Sequence, residues 1–203
     1  MMKWLFFDVG STLIDESRAY EHRIRDMIAG SSVGYRQFCD VMLSFYRRNL
    51  KGDLESARQF GFSVPPWHTE DERLYPEAKR CLDALYRKYH IGVIANQNPG
   101  TTQRLEAFGI LQYIDLVVAS AEEKLSKPDP RIFLLALERA GCAPEEAVMI
   151  GDRLDNDIAP AKALGMKAVW VRQGFGGLSD VRLAERQPDW ITEDLDGVAR
   201  IFV

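Results

Sequence analysis

Five short apolar runs punctuate the chain: Trp4-Leu5-Phe6-Phe7, Ile91-Gly92-Val93-Ile94-Ala95, Asp115-Leu116-Val117-Val118, Ala147-Val148-Met149-Ile150 and Lys167-Ala168-Val169-Trp170-Val171. Each is too short for a helix, and most are rich in β-branched or aromatic residues. Continuous rather than alternating, they have the pattern of strands buried on both faces. Amphipathic stretches over 76–89, 101–108, 130–140 and 156–164 separate them; in the first, Ala78, Leu82, Leu85 and Tyr89 fall near one helical face. Pro76 and Pro130 suit first turns, and Gly141 and Gly165 suit C-terminal caps. This alternation predicts an α/β fold with a mostly parallel, doubly wound sheet. A weak strand near Trp190-Ile191 and a terminal helix complete it.

One insertion breaks the rhythm. Residues 19–28 and 35–50 have helical pattern with no comparable strand, and Gly30-Ser31-Ser32 and Ser63-Val64-Pro65-Pro66 mark breaks around them. The expected organisation is a core of 1–15 and 75–203 with a small helical cap, 16–74, over the carboxyl ends of the strands. Packing of these helices against the sheet flank is the alternative. The aromatic residues of the insertion, from Tyr20 and Tyr35 to Phe62 and Trp67, must mostly form its own small core, with one or two facing a substrate.

Composition adds exclusions. A chain of 203 residues with 46% hydrophobic and 28% charged residues suits one soluble α/β core and a minor lobe. The net charge of -4, with 26 basic residues scattered along the chain, argues against nucleic acid and anionic membrane as partners. No stretch is long enough to span a bilayer, and the opening apolar run ends at Asp8, too early for a signal sequence. Cys39, Cys81 and Cys142 are odd in number and far apart, which points to reduced, buried thiols and a cytoplasmic protein. A monomer or homodimer is expected.

Candidate chemistry lies at the strand ends, because open parallel sheets bind ligands there. After the strands come Asp8-Val9-Gly10-Ser11-Thr12, Asn96-Gln97-Asn98, Lys127-Pro128-Asp129-Pro130 and Gly151-Asp152-Arg153-Leu154-Asp155-Asn156-Asp157. Carboxylates gathered in one crevice repel each other unless a cation sits among them. Asp8, Asp152 and Asp157 are oxygen ligands of the kind Mg2+ prefers, with water and a substrate phosphate in the remaining positions. Lys127 would neutralise phosphate charge and screen Asp8 from an incoming anion. An aspartate that attacks phosphorus forms an aspartyl-phosphate, splitting one hard hydrolysis into two steps. Asp155 reads as a turn cap, Arg153 as a surface arginine, and His22, His68 and His90 as residues without ligand spacing.

Asp8, Asn96, Lys127-Pro128-Asp129-Pro130 and Gly151-Asp152 with Asn156-Asp157, in that order, resemble the four-motif signature of the haloacid dehalogenase-like superfamily. The resemblance runs from Lys3 to about Val171, apart from the cap interior. It implies a Rossmann-like core with a small inserted α-helical cap, and a phosphatase-type hydrolase acting on a small phosphorylated substrate. It further implies Asp8 as nucleophile and Mg2+ ligand, the Gly10 carbonyl and Asp152 as further ligands, Asp157 as metal support and Lys127 as the phosphate-facing lysine.

Two positions depart from that signature. The aspartate expected two residues after the nucleophile, which moves the proton in such phosphatases, is Gly10. The hydroxyl expected in the second motif is replaced by Ala95, leaving Asn96 and neighbouring backbone N–H groups as phosphate donors. A carboxylate from Glu16, the ring of His22, or Gln97 with a water are candidates to restore proton transfer. Gly10→Asp is expected to raise turnover of alkyl phosphates. A weakly active or inactive phosphometabolite-binding or regulatory module is the alternative function, favoured by Gly10 and Ala95. Carbon–halogen cleavage would tolerate Gly10, but it has no use for the acidic set at Asp152 and Asp157.

Overall fold

The computed structural model describes residues Met1–Val203. Its centre is β1 (Trp4–Phe7), whose side chains divide between two cores: Leu5 and Phe7 pack on one face of the sheet, Trp4 and Phe6 on the other. That division explains the unbroken apolar run. β4 (His90–Ala95) and β6 (Ala147–Gly151) flank β1, followed outward by β5 (Leu116–Ala119) on one side and β7 (Lys167–Val171) and β8 (Trp190–Thr192) on the other. The order is β5-β4-β1-β6-β7-β8, and every neighbouring pair is parallel. The chain thus winds away from β1 in both directions, which places the ends of β1, β4 and β6 side by side at the switch point.

Helices cover both faces. α4 (Ala78–Leu85), α5 (Thr101–Ala107) and α9 (Leu195–Phe202) bury Leu82, Leu105 and Val198 in the larger core; α7 (Pro130–Ala140) and α8 (Ala159–Ala163) bury Phe133 and Ala161 in the smaller one. α7 begins and ends as its sequence predicts. Asp129 caps the Arg131 N–H, Pro130 occupies the first turn, and Gly141 closes the helix at φ 61°. The stretch 156–164 does not form one helix. Pro160 has no N–H to donate into the preceding turn, so a wide turn over Leu154–Ile158 precedes the short α8.

Between β1 and α4 the chain leaves through β2 (Ile14–Asp15) and returns through β3 (Arg73–Leu74), which pair antiparallel. The intervening segment forms α1 (Ser17–Ile28), α2 (Tyr35–Tyr46) and α3 (Gly52–Phe60). Sequence periodicity carried the second helix to residue 50 and missed the third. α2 stops at Tyr46, and Asn49 turns the chain at φ 60°. The three helices enclose Ile24, Met27, Phe38, Met42, Tyr46 and Ala57, and a loop of the sheet domain adds Phe175 to them. Four contacts bind that loop to the end of α2 and the turn that follows it. The Ser179 hydroxyl donates to the Tyr46 carbonyl (3.0 Å), the Asp180 N–H to the Arg47 carbonyl (3.3 Å), the Asn49 amide to the Asp180 carbonyl (3.4 Å), and Phe175 stacks on Tyr46. A short four-residue helix, α6 (Ser120–Glu123), follows β5.

His22 and His68, remote in sequence, stack face to face with ring centroids 3.5 Å apart. Sequence spacing could not reveal this, because the two rings come from α1 and from the return segment. Hydrogen bonds donated by the His68 ring to Asp26 and Glu70 raise the pKa of His68 above the ordinary imidazole value. A raised folded-state pKa contributes stability that is complete below the unfolded-state pKa and is lost as pH rises through the folded value. An NMR titration is expected to show His68 protonated above the usual histidine range, and Asp26→Asn to bring it down.

Candidate active site

Asp8 follows β1 directly, its N–H donating to the Ile150 carbonyl of β6 at 2.8 Å, so the sheet itself fixes its backbone. The Lys127 ammonium lies 2.8 Å from Asp8 Oδ1 and 2.6 Å from Asp157 Oδ1, and its side chain is 1% exposed. Burial works against that charge. The carboxylates of Asp157 and Asp8 outweigh it and hold the lysine pKa above its usual value.

Asp8, Asp152 and Asp157 are all buried, with carboxylate oxygens that lie within 4.8 Å of one another. Asp152 has its pKa driven well up, first by burial and then by Asp157 and Asp8. Asp157 is raised to about 6 by burial, with Lys127 opposing and Asp8 adding to the rise. One lysine cannot neutralise three buried carboxylates, and this excess of acid fits a divalent cation bound by oxygen ligands. Asp157 differs from its expected part in one respect. Its two oxygens already accept from Lys127 and from the Arg153 N–H (2.9 Å), so its first task is to hold Lys127 and the turn after β6.

Asn96, expected as a phosphate donor, lines the cavity and also braces Lys127. Its amide nitrogen donates to the Lys127 carbonyl and its amide oxygen accepts from the Lys127 N–H, both at 2.8 Å. These bonds set the position of Lys127, and the second amide N–H of Asn96, at the cavity wall, remains available to an anion. Gln97 is partly spent as well, its side-chain oxygen bound by the Arg104 guanidinium. His22 lies outside the cavity, paired with Asp71 at 2.8 Å.

The cavity in front of Asp8 has a volume of about 320 Å³ and is shared between the sheet edge and the inserted helices. Asp8, Gly10, Asp152 and Asn96 come from the strand ends; Tyr20, Arg23, Tyr46 and Lys51 come from the insertion. Arg153 is a cavity residue and not the surface arginine its sequence suggests. Its side chain is 11% exposed, bonded to Asp155 (2.6 Å), and lies 5.8 Å from the Tyr46 ring centre. Burial opposes the charge of Arg153, but the bond to Asp155 outweighs it and raises its pKa. Lys51 lines the cavity from the insertion, and its charge acts on Glu16. Phe175, which no motif marked, packs edge-on against Tyr20 with centroids 5.0 Å apart and lines the wall between sheet and insertion.

The position lacking a side chain is not empty space. A Cβ on Gly10 would lie 2.5 and 2.8 Å from the carboxylate oxygens of Glu16. The Ser11 hydroxyl donates to Glu16 Oε2 at 2.9 Å, from a residue held at φ 56°. The Glu16 pKa rises to about 8: burial is the main cause, the Ser11 bond opposes it, and Glu72 and Asp8 add to it.

Residues 2–165 match the family model described as haloacid dehalogenase-like hydrolase. A glyceraldehyde 3-phosphate phosphatase from Pyrococcus furiosus is 30% identical over 95% of this chain and 90% of its own. A phosphoserine phosphatase from Thermus thermophilus is 40% identical over 50% of this chain and 42% of its own. Among solved structures, a phosphatase from Thermococcus onnurineus superposes with a TM-score of 0.67 at 25% identity, covering 98% of this chain and 97% of that one.

Proposed function

Because the chain belongs to the haloacid dehalogenase-like hydrolases, as a phosphatase-type member, we propose that it hydrolyses a small phosphorylated metabolite through a covalent intermediate on Asp8. The observation that carries this reading is Asp8 at the floor of a small polar cavity, beside a fully buried lysine and within a surplus of carboxylate. A bound Mg2+ held by Asp8, Asp152 and the Gly10 carbonyl would offset the acidic surplus and draw charge from a phosphoryl oxygen.

The chain's own groups prepare the site for an anionic substrate. Lys127, kept protonated by Asp8 and Asp157, lets an anionic phosphate approach an anionic nucleophile. Asn96 and Asp157 fix that lysine from its backbone and its ammonium end. Arg153 and Lys51 add positive charge around the cavity, and the inserted helices act as a cap that limits substrate size. A cavity of about 320 Å³ suits a short phosphorylated compound and not a polymer. The relatives act on chemically different phosphate esters by name, so similarity selects the class and not the member.

The test is phosphate release from a panel of three-carbon phosphate esters, phosphoamino acids and acyl phosphates, with Mg2+ and with EDTA. Release from at least one ester is expected with Mg2+ and none with EDTA. Release that persists unchanged in EDTA would sink the reading. Mg2+ at about 100 times its dissociation constant should also stabilise the fold by about 2.7 kcal/mol, visible as a rise in melting temperature.

A further inference from the structure

The proposed reaction needs a proton twice, once on the leaving oxygen and once off the attacking water, and position 10 supplies no group for it. We infer that Glu16, the residue preceding α1, performs this proton transfer from outside the nucleophile loop, so that the chain keeps general acid–base catalysis although its signature position is glycine.

Three observations place the carboxyl there. Glu16 lines the same cavity as Asp8. All three atoms of its carboxyl group lie within 2.8 Å of where a Gly10 Cβ would be, so it fills the space that a side chain at position 10 would enter. Ser11 donates a hydrogen bond to it at 2.9 Å from a left-handed backbone conformation that residues other than glycine seldom adopt. Glycine would take that conformation freely but would leave Glu16 without the hydroxyl. Gly10 and Ser11 thus make sense together: one makes room for the Glu16 carboxyl and the other holds it.

The inference rests on the Asp8 reading, and its chemistry balances across two steps. An Asp8 oxygen bonds to phosphorus as the bond to the leaving oxygen breaks; that oxygen keeps the electron pair and takes the proton of Glu16, releasing an alcohol. The Glu16 carboxylate then takes a proton from water, whose oxygen attacks phosphorus. The bond to Asp8 breaks, its electron pair returns to the carboxylate, and phosphate leaves with Glu16 reprotonated.

The same geometry reverses the expectation for Gly10→Asp. An aspartate there would drive its side chain into the Glu16 carboxyl, so the single substitution should lower activity.

First-turnover kinetics of Glu16→Gln tests the inference, comparing an alkyl phosphate with p-nitrophenyl phosphate, whose leaving group needs little protonation. Alkyl release should slow by about 10²–10⁴-fold. Nitrophenolate should still appear as a burst equal to the enzyme concentration, followed by slow turnover as the phosphoenzyme waits for a base. In Glu16→Ala, adding Gly10→Asp should recover part of the alkyl rate, because a carboxyl re-enters the vacated space. Equal losses on both substrates would make Glu16 structural or metal-binding and overturn the inference, as would an unslowed alkyl rate. If Asp8→Asn, run alongside, retained phosphate release, the nucleophile reading itself would fail, a result distinct from either outcome at Glu16.

Discussion

Asp8→Asn is expected to reduce Mg2+-dependent phosphate release by about 10⁴–10⁶-fold, the range seen when a catalytic nucleophile or its partner is removed. An amide oxygen keeps the shape of the side chain and loses the negative charge that attacks phosphorus. The loss should come without unfolding. Asp8 is one of three buried carboxylates served by one lysine, and after substitution Lys127 still has Asp157 at 2.6 Å. Removing a like charge from that group relieves repulsion, so the metal-free variant should melt at or above the wild-type temperature. Phosphate assays and melting curves with EDTA check both halves. Retained turnover contradicts the assignment, and a collapsed fold contradicts the account of the charges.

Lys127→Met should do the opposite: it should damage the fold as well as the activity. The methionine preserves most of the aliphatic volume but leaves Asp8 and Asp157 facing each other without a cation. Removing one partner of a buried ion pair costs about 3–5 kcal/mol. At an m-value of about 2 kcal/mol per molar urea, the midpoint should fall by about 2 M in the absence of metal. Asp157→Asn in the same chain should recover part of that loss, because the two residues form one unit whose effects do not add. Urea titrations of the two single variants and the double variant measure the coupling. A Lys127→Met protein as stable as wild type would show that the carboxylates already shed their charge by protonation.

The contrast between these variants bears on what the sequence can disclose. Strands were legible because burial on both faces demands unbroken apolar runs, and Asp8 and Asp152 were legible because they directly follow two of those strands. Partnerships across the fold were not. Nothing near Asn96 shows that its amide closes on the backbone of Lys127, and nothing near Arg153 shows that a tyrosine of the insertion covers it. α3 escaped because it opens with Gly52-Asp53, poor helix formers, and its stability comes from packing on α2. β2 and β3 are two residues each, too short for any periodic signal. Glycine at position 10 read as a missing group because a sequence cannot show what occupies the space beside it.

The loop carrying Phe175 and Ser179 has a consequence for how the molecule comes apart. The apolar cluster among the inserted helices has six buried residues, few for an independent folding unit. They are joined to the sheet domain at the β2–β3 stem, and on another side by the Tyr46–Phe175 stack and the Ser179 hydrogen bond. Fastened at two separated places, they lack an independent route to melt ahead of the sheet. Hydrogen exchange in α2 should therefore follow the slow, global opening of the protein, with α2 and the central strands lost as one cooperative unit.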